Sequence, residues 1–309
     1  MSFLVELARS AYPREALNGL TASPSFDHDN ARAMMWMSQL AYETANEDKV
    51  RDILDSWTMT MRAFVSNDPV TGLPPRSACV VVAGGRKATI VAFAGTDPLK
   101  VEDWITDFTP ALSASNLHGG FENAVNTVWP AISSAIANRP ADEQALFFTG
   151  HSLGSALAMI AAARAERELQ QGDATAVYSF GGPRVGGAAF FEEYTPKLGA
   201  CTFRLVHGGD VVATVPPTGD FRHVGRCIQC PSDGRFDGPQ TETSAAEQNE
   251  PDFIESTLQD GLADFRAMTA LRFLRRIGPR PLDRLAALLP RMVRDHVPSN
   301  YFRALGITL

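Results

Sequence analysis

One pentapeptide in this chain has the residue types and spacing of an activated nucleophile: Gly150-His151-Ser152-Leu153-Gly154. An apolar run of strand length, Ala145-Leu-Phe-Phe-Thr149, leads into it, and a run of strong helix formers, Ser155-Ala-Leu-Ala-Met-Ile-Ala-Ala-Ala163, follows. The pattern predicts strand, sharp turn and helix, with Ser152 lifted clear of a sheet on a strained backbone. The flanking glycines omit the Cβ atoms that would collide in such a turn. A serine held there stands at a helix N-terminus, where the Leu153 N–H and the helix dipole face a developing negative charge. The plain alternative is a chance Gly-x-Ser-x-Gly in an ordinary strand-to-helix turn. The strand on one side and the helix on the other favour chemistry.

A serine hydroxyl needs a base within hydrogen-bond reach, and the base needs an acid to fix its tautomer. In sheets of this kind the chain order is Ser, then Asp or Glu, then His. Asp210 fits the acid, because it follows the predicted strand Cys201 to His207 and two glycines, at the edge where open α/β sheets collect their active groups. The competing role for it is a solvated turn aspartate or a helix cap. Two histidines follow, His223 and His296. His223 falls inside a predicted strand, Arg222 to Ile228, where a satisfied structural histidine is the commoner explanation. His296, in Asp295-His-Val-Pro-Ser-Asn-Tyr301, lies in a break between helical segments, from which a loop can deliver a ring. His296 is therefore preferred as the base. His151 is expected to point away from its neighbour's side chain and to brace the elbow. His28, His118 and His207 precede the acid, out of order.

These three positions need a frame, and the rest of the pattern predicts one. Helices are expected over Ala31 to Tyr42, behind the capping run Phe26 to Asn30, and over Glu47 to Trp57. The Met and aromatic stripe of the first reads as core packing. Thr58 to Ser66 reads as an outer strand, and Ala78 to Ala83 with Ala88 to Phe93 as a hairpin. A helix opening at His118-Gly-Gly-Phe121, the elbow helix ending near Gly172, a strand at Thr175 to Phe180 and a further helix after Gly186 complete an alternation. That alternation predicts an α/β fold with a mostly parallel sheet, helices on both faces and antiparallel pieces at the N-terminal edge. Pro231 to Pro251 reads as an exposed loop, and Phe253 to Ile277 and Pro281 to Val293 as helices, so that 231–293 forms a loop plus helical insertion before His296. No linker divides the chain, and one domain over 1–309 is expected.

In order along the chain, the elbow and six other stretches resemble the class 3 lipases, the family that includes the fungal triacylglycerol lipases. The stretches are Phe93-Ala-Gly-Thr96, Asp103-Trp-Ile-Thr-Asp107, His118-Gly-Gly-Phe121, Phe180-Gly-Gly-Pro-Arg-Val-Gly186, Asp210-Val-Val and Asp295-His296 with Tyr301. The resemblance implies an α/β-hydrolase fold and a triad of Ser152, Asp210 and His296. It also implies an oxyanion hole in which Thr96, through its N–H and hydroxyl, joins the N–H of Leu153. Residues 97–108 occupy the place of the family's lid, with Trp104, Ile105 and Phe108 offering an apolar face to an acyl chain or a lipid surface. A fixed surface helix is the alternative there. Ala94 departs from the family's Phe-Arg-Gly, which removes an ion pair from that strand.

The chain has 309 residues, 45% hydrophobic and 20% charged, which is ordinary for a globular protein long enough to bury a full core. A net charge of -7 argues against nucleic acid as a partner. Met1 to Ser10 carries Glu6 and no basic stretch ahead of an apolar core, and no window approaches the ~18 apolar residues of a membrane span. A cytoplasmic location is the default expectation, although a processed secreted form would read the same. Cys227-Ile-Gln-Cys230 has metal or disulfide spacing, but no second pair exists to complete a zinc site. The expected activity is that of a serine carboxylester hydrolase, a lipase on acylglycerol esters, with an ester or lipid substrate and no cofactor or metal. Alternatives are a soluble-ester esterase of feruloyl or other type, a phospholipase, an acyltransferase, and from another class an inactive hydrolase-like binding module.

Overall fold

The computed structural model describes residues 6–43, 46–66, 79–95, 111–170, 172–216, 220–237, 241–243 and 291–309. Among them, eight strands form one sheet whose spatial order follows the chain. The strands are β1 (Thr60–Val65), β2 (Val80–Gly85), β3 (Ala88–Phe93), β4 (Ala145–His151), β5 (Ala176–Phe180), β6 (Thr202–His207), β7 (Arg226–Cys230) and β8 (Thr241–Thr243). β1 to β3 pair antiparallel, β3 to β7 are parallel, and β8 closes the far edge antiparallel. Parallel neighbours need a crossover, and helices supply three of them: α3 (Gly119–Ala137), α4 (Leu153–Glu168) and α5 (Ala188–Leu198).

Successive residues of a strand face opposite sides, and the central strands are apolar on both. On one side Ile90, Phe147, Tyr178 and Phe203 pack with α1 (His28–Leu40), α2 (Glu47–Ser56) and a C-terminal helix, α7 (Pro298–Ala304). On the other, Val91, Phe148 and Val177 pack with α3, α4 and α5. The Met and aromatic stripe of α1, Met34 to Met37, is fully within the first of these cores, as packing requires. Asp27 caps α1 by accepting the Asn30 N–H at 2.8 Å, and Asn46 caps α2 by accepting that of Lys49 at 3.0 Å.

Three expected boundaries change. α4 stops at Glu168, short of Gly172. His223 is not in a strand: the chain turns at Gly225, where φ is +77°, and β7 begins only at Arg226. Within the expected loop Pro231 to Pro251, residues Thr241 to Thr243 pair with Cys227 to Gln229, because β-branched residues beside an open sheet edge extend it. The expected helix over Phe253 to Ile277 lies outside the described residues, and of Pro281 to Val293 only the end is described, within α6 (Arg291–Asp295).

Candidate active site

β4 delivers Ser152 to the carboxyl edge of the sheet. Ser152 is the residue between β4 and α4, with φ +59° and ψ −130°, a conformation that costs a side-chain-bearing residue of the order of 1–3 kcal/mol. The turn can close so sharply because of its glycines. A Cβ on Gly150 would collide with the backbone of Gly154, and one on Gly154 would collide with the carbonyl of Phe93 in β3. Leu153 is the first residue of α4, so its N–H has no acceptor within the helix.

The acid comes from the turn after β6. Asp210 caps the short 3-10 helix Val211–Thr214 through the Val212 N–H at 2.9 Å, and it also faces His296. The same carboxylate therefore makes both the helix-cap bond and the contact with His296. His296 sits in the turn between α6 and α7. Its Nδ1 lies 2.9 Å from both carboxylate oxygens of Asp210, and its Nε2 lies 2.9 Å from the Ser152 hydroxyl. A carboxylate can only accept, so Nδ1 carries the proton and Nε2 is free to accept from the serine. Ser152, Asp210 and His296 are all buried.

Asp210 stays ionised against its surroundings. Burial pushes its pKa up, but the His296 imidazole, the Tyr301 hydroxyl and His151 together pull it below the ordinary carboxylate value. Tyr301 donates to Oδ2 at 2.6 Å and accepts the His207 N–H at 3.2 Å. The hydroxyl's part in the acid's environment was not anticipated from the sequence. Its signal in the sequence is Tyr301 five residues past His296, within the helix α7 that the histidine's turn leads into.

The other candidates separate. His223 is buried at the start of the β7 approach, with Nε2 2.9 Å from the Ala213 carbonyl, in a structural role. Cys227 and Cys230 are free thiols three residues apart on one strand, so they face opposite sides of the sheet and cannot form the disulfide considered above. No group of three or more metal-ligating side chains occurs among the described residues. Ala94, in place of the family's arginine, is buried, and its N–H bonds the Cys79 carbonyl at 2.9 Å. Thr96 and the lid stretch 97–108, with Trp104, Ile105 and Phe108, lie outside the described residues.

The family model for lipase (class 3) matches residues 90–219, a segment that contains the elbow and the acid. Residues 90–219 belong to the class 3 lipase family. The chain is 32% identical over 148 residues to a secreted mono- and diacylglycerol lipase of Fusarium solani, covering 45% of this chain and 43% of the relative. A lipase of Rhizopus oryzae is 30% identical over 152 residues, covering 45% of this chain and 38% of the relative. The matches thus span less than half the length of these curated relatives. Among solved structures, the mono- and diacylglycerol lipase from Aspergillus oryzae superimposes with a TM-score of 0.57 at 21% identity, over 74% of this chain and 92% of that one. A lipase–propeptide complex of Rhizomucor miehei gives 0.55 at 21% identity, over 73% and 76%. The chain shares the fold of these lipases, the α/β-hydrolase fold.

These relatives overturn the cytoplasmic expectation. The Fusarium solani lipase and a mono- and diacylglycerol lipase of Malassezia globosa are both named as secreted, which points outside the cell. The expectation rested on a missing export signal in the first ten residues, and an absence of that kind carries no positive information about location. No helix among the described residues is long and apolar enough to cross a membrane.

Proposed function

We propose that this chain is a serine carboxylester hydrolase that cleaves acylglycerol esters outside the cell. The observation that carries the reading is the row Ser152 hydroxyl, His296 imidazole, Asp210 carboxylate, with each link at 2.9 Å. Ser152 Oγ attacks the ester carbonyl while His296 Nε2 takes its proton. Asp210 holds Nδ1–H and stabilises the imidazolium that forms. The Leu153 N–H, together with Thr96, donates to the carbonyl oxygen and stabilises the charge that develops there, each donor contributing about 3 kcal/mol to the barrier reduction. The imidazolium returns its proton to the leaving alcohol, and a water molecule then repeats both steps on the acyl-enzyme. The mono- and diacylglycerol lipases among the relatives support the choice of acylglycerols, and their secretion supports the location.

Turnover of p-nitrophenyl esters and of a monoacylglycerol by wild type and Ser152→Ala tests the reading. The variant is expected to lose activity by about six orders of magnitude in kcat. Equal rates in the two proteins would leave a non-catalytic binding module. Product analysis with an added alcohol separates hydrolysis from acyl transfer.

A further inference from the structure

The histidine beside the nucleophile is fully buried, and both of its ring nitrogens have partners. His151 Nε2 lies 2.8 Å from the main-chain oxygen of His296, and Nδ1 lies 2.8 Å from the Tyr42 hydroxyl. A carbonyl oxygen can only accept, so Nε2 carries the proton of the neutral ring. Nδ1 then presents a lone pair, and the Tyr42 O–H donates to it. Each proton in this chain therefore has one consistent position. Tyr42 follows α1 on one side of the molecule, His151 ends β4, and His296 lies in the turn before α7.

The rings of His151 and His296 are 4.7 Å apart and tilted by 31°. A charge on His151 at that separation would oppose the imidazolium that His296 must become. The groups around His151 keep it neutral: burial and His296 push its pKa down to about 3, against the opposite pull of Asp210 and of the His296 carbonyl. The ring thus gives the base a dry, uncharged neighbour that also holds its backbone.

We infer that His151 is a positioning residue for His296. It grips the base's main-chain carbonyl through Nε2–H while Tyr42 fixes its tautomer, so that the strand carrying the nucleophile and the turn carrying the base stay in register. This role rests on the triad proposed above. It differs from a local brace of the elbow, because the atom held belongs to a residue 145 positions away in the chain.

Two substitutions distinguish these roles. The amide nitrogen of glutamine can reach nearly the position of Nε2 and donate the same bond, whereas leucine cannot. His151→Leu is expected to lower kcat by about ten- to a hundredfold with little change in KM, and His151→Gln to recover most of the loss. The low-field proton resonance of His296 Nδ1–H, read without substrate, is expected to shift or broaden in His151→Leu and to return in His151→Gln. If His151→Leu keeps wild-type kcat, or if both variants fall equally while the resonance stays put, the positioning role is wrong. Should His151→Leu not fold, Tyr42→Phe decides: a kcat lowered by roughly three- to tenfold with a displaced resonance supports the role, and no change in either overturns it. A resonance that moves as expected in His151→Leu, together with a wild type that turns over no ester, would refute the hydrolase reading while leaving the His151 contact intact.

Discussion

At the residue scale, Asp210 receives more hydrogen bonds than its partner base alone can give. His296, Tyr301 and the Val212 N–H all point at one carboxylate, and His296, Tyr301 and His151 hold its pKa down although burial raises it. A carboxylate with a depressed pKa stabilises the fold at pH values above its unfolded value, and that contribution is lost as the pH falls through the folded one. Removing the Tyr301 hydroxyl takes away one of the groups that depress it and leaves the buried His207 N–H without its acceptor. Tyr301→Phe is expected to lose roughly 1–3 kcal/mol of stability in urea unfolding and to lower kcat without raising KM. Ser152 shows a different cost. Alanine and glycine both lack the hydroxyl, but only glycine is at ease at φ +59°. Ser152→Gly is therefore expected to be more stable than Ser152→Ala by about 1 kcal/mol in paired thermal melts, with both inactive.

At the scale of elements, the elbow depends on α4 lying almost against β3 and β4. Gly154 touches the Phe93 carbonyl, and Gly150 touches Gly154, so neither position has room for a methyl group. Gly150→Ala must move backbone rather than a side-chain tip, and a loss of about 3–5 kcal/mol in chemical denaturation is expected. A variant of unchanged stability would mean that the elbow is looser than its contacts imply. The glycines, the apolar strand and the small-residue helix were all legible in the sequence, because each is a local pattern. The strand boundary at Arg226 was not, since it depends on how Gly225 turns the chain against Thr202 of the neighbouring strand.

At the scale of the whole molecule, three buried histidines make the fold sensitive to acid. Burial is the first cause in each case: it pushes His151 down to about 3, His223 well below the ordinary value and His207 below it. These are groups that bind protons more readily when unfolded, so their contribution is full above the unfolded value of 6.5 and is lost as the pH falls toward the folded values. Between pH 7 and pH 5.5 the loss is about 1 kcal/mol for each of His151 and His223, read as a falling urea midpoint. A midpoint that is flat over this range would mean that these rings are charged in the fold. The nucleophile, with no exposed surface, adds a second property. A rate profile on p-nitrophenyl esters taken through the substrate's solubility limit reads what this burial means: a jump at the limit marks an opening of the site at a lipid surface, and a smooth curve with short-chain preference marks a soluble-ester esterase.

The amino-acid order by itself determined the elbow, the alternation of strands and helices, and the succession of serine, acid and histidine, because these are written in neighbouring residues or in simple order along the chain. Only the tertiary structure decided that His296 rather than His223 reaches Ser152, that Asp210 serves both as a cap and as a partner of the base, and that Tyr42, His151 and Tyr301 surround the row. The contacts among the row and the residues around it join positions 86 to 145 apart in the chain, and their existence depends on where the sheet and its helices bring the chain back. A pattern of residue types carries no information about such distances until packing closes them.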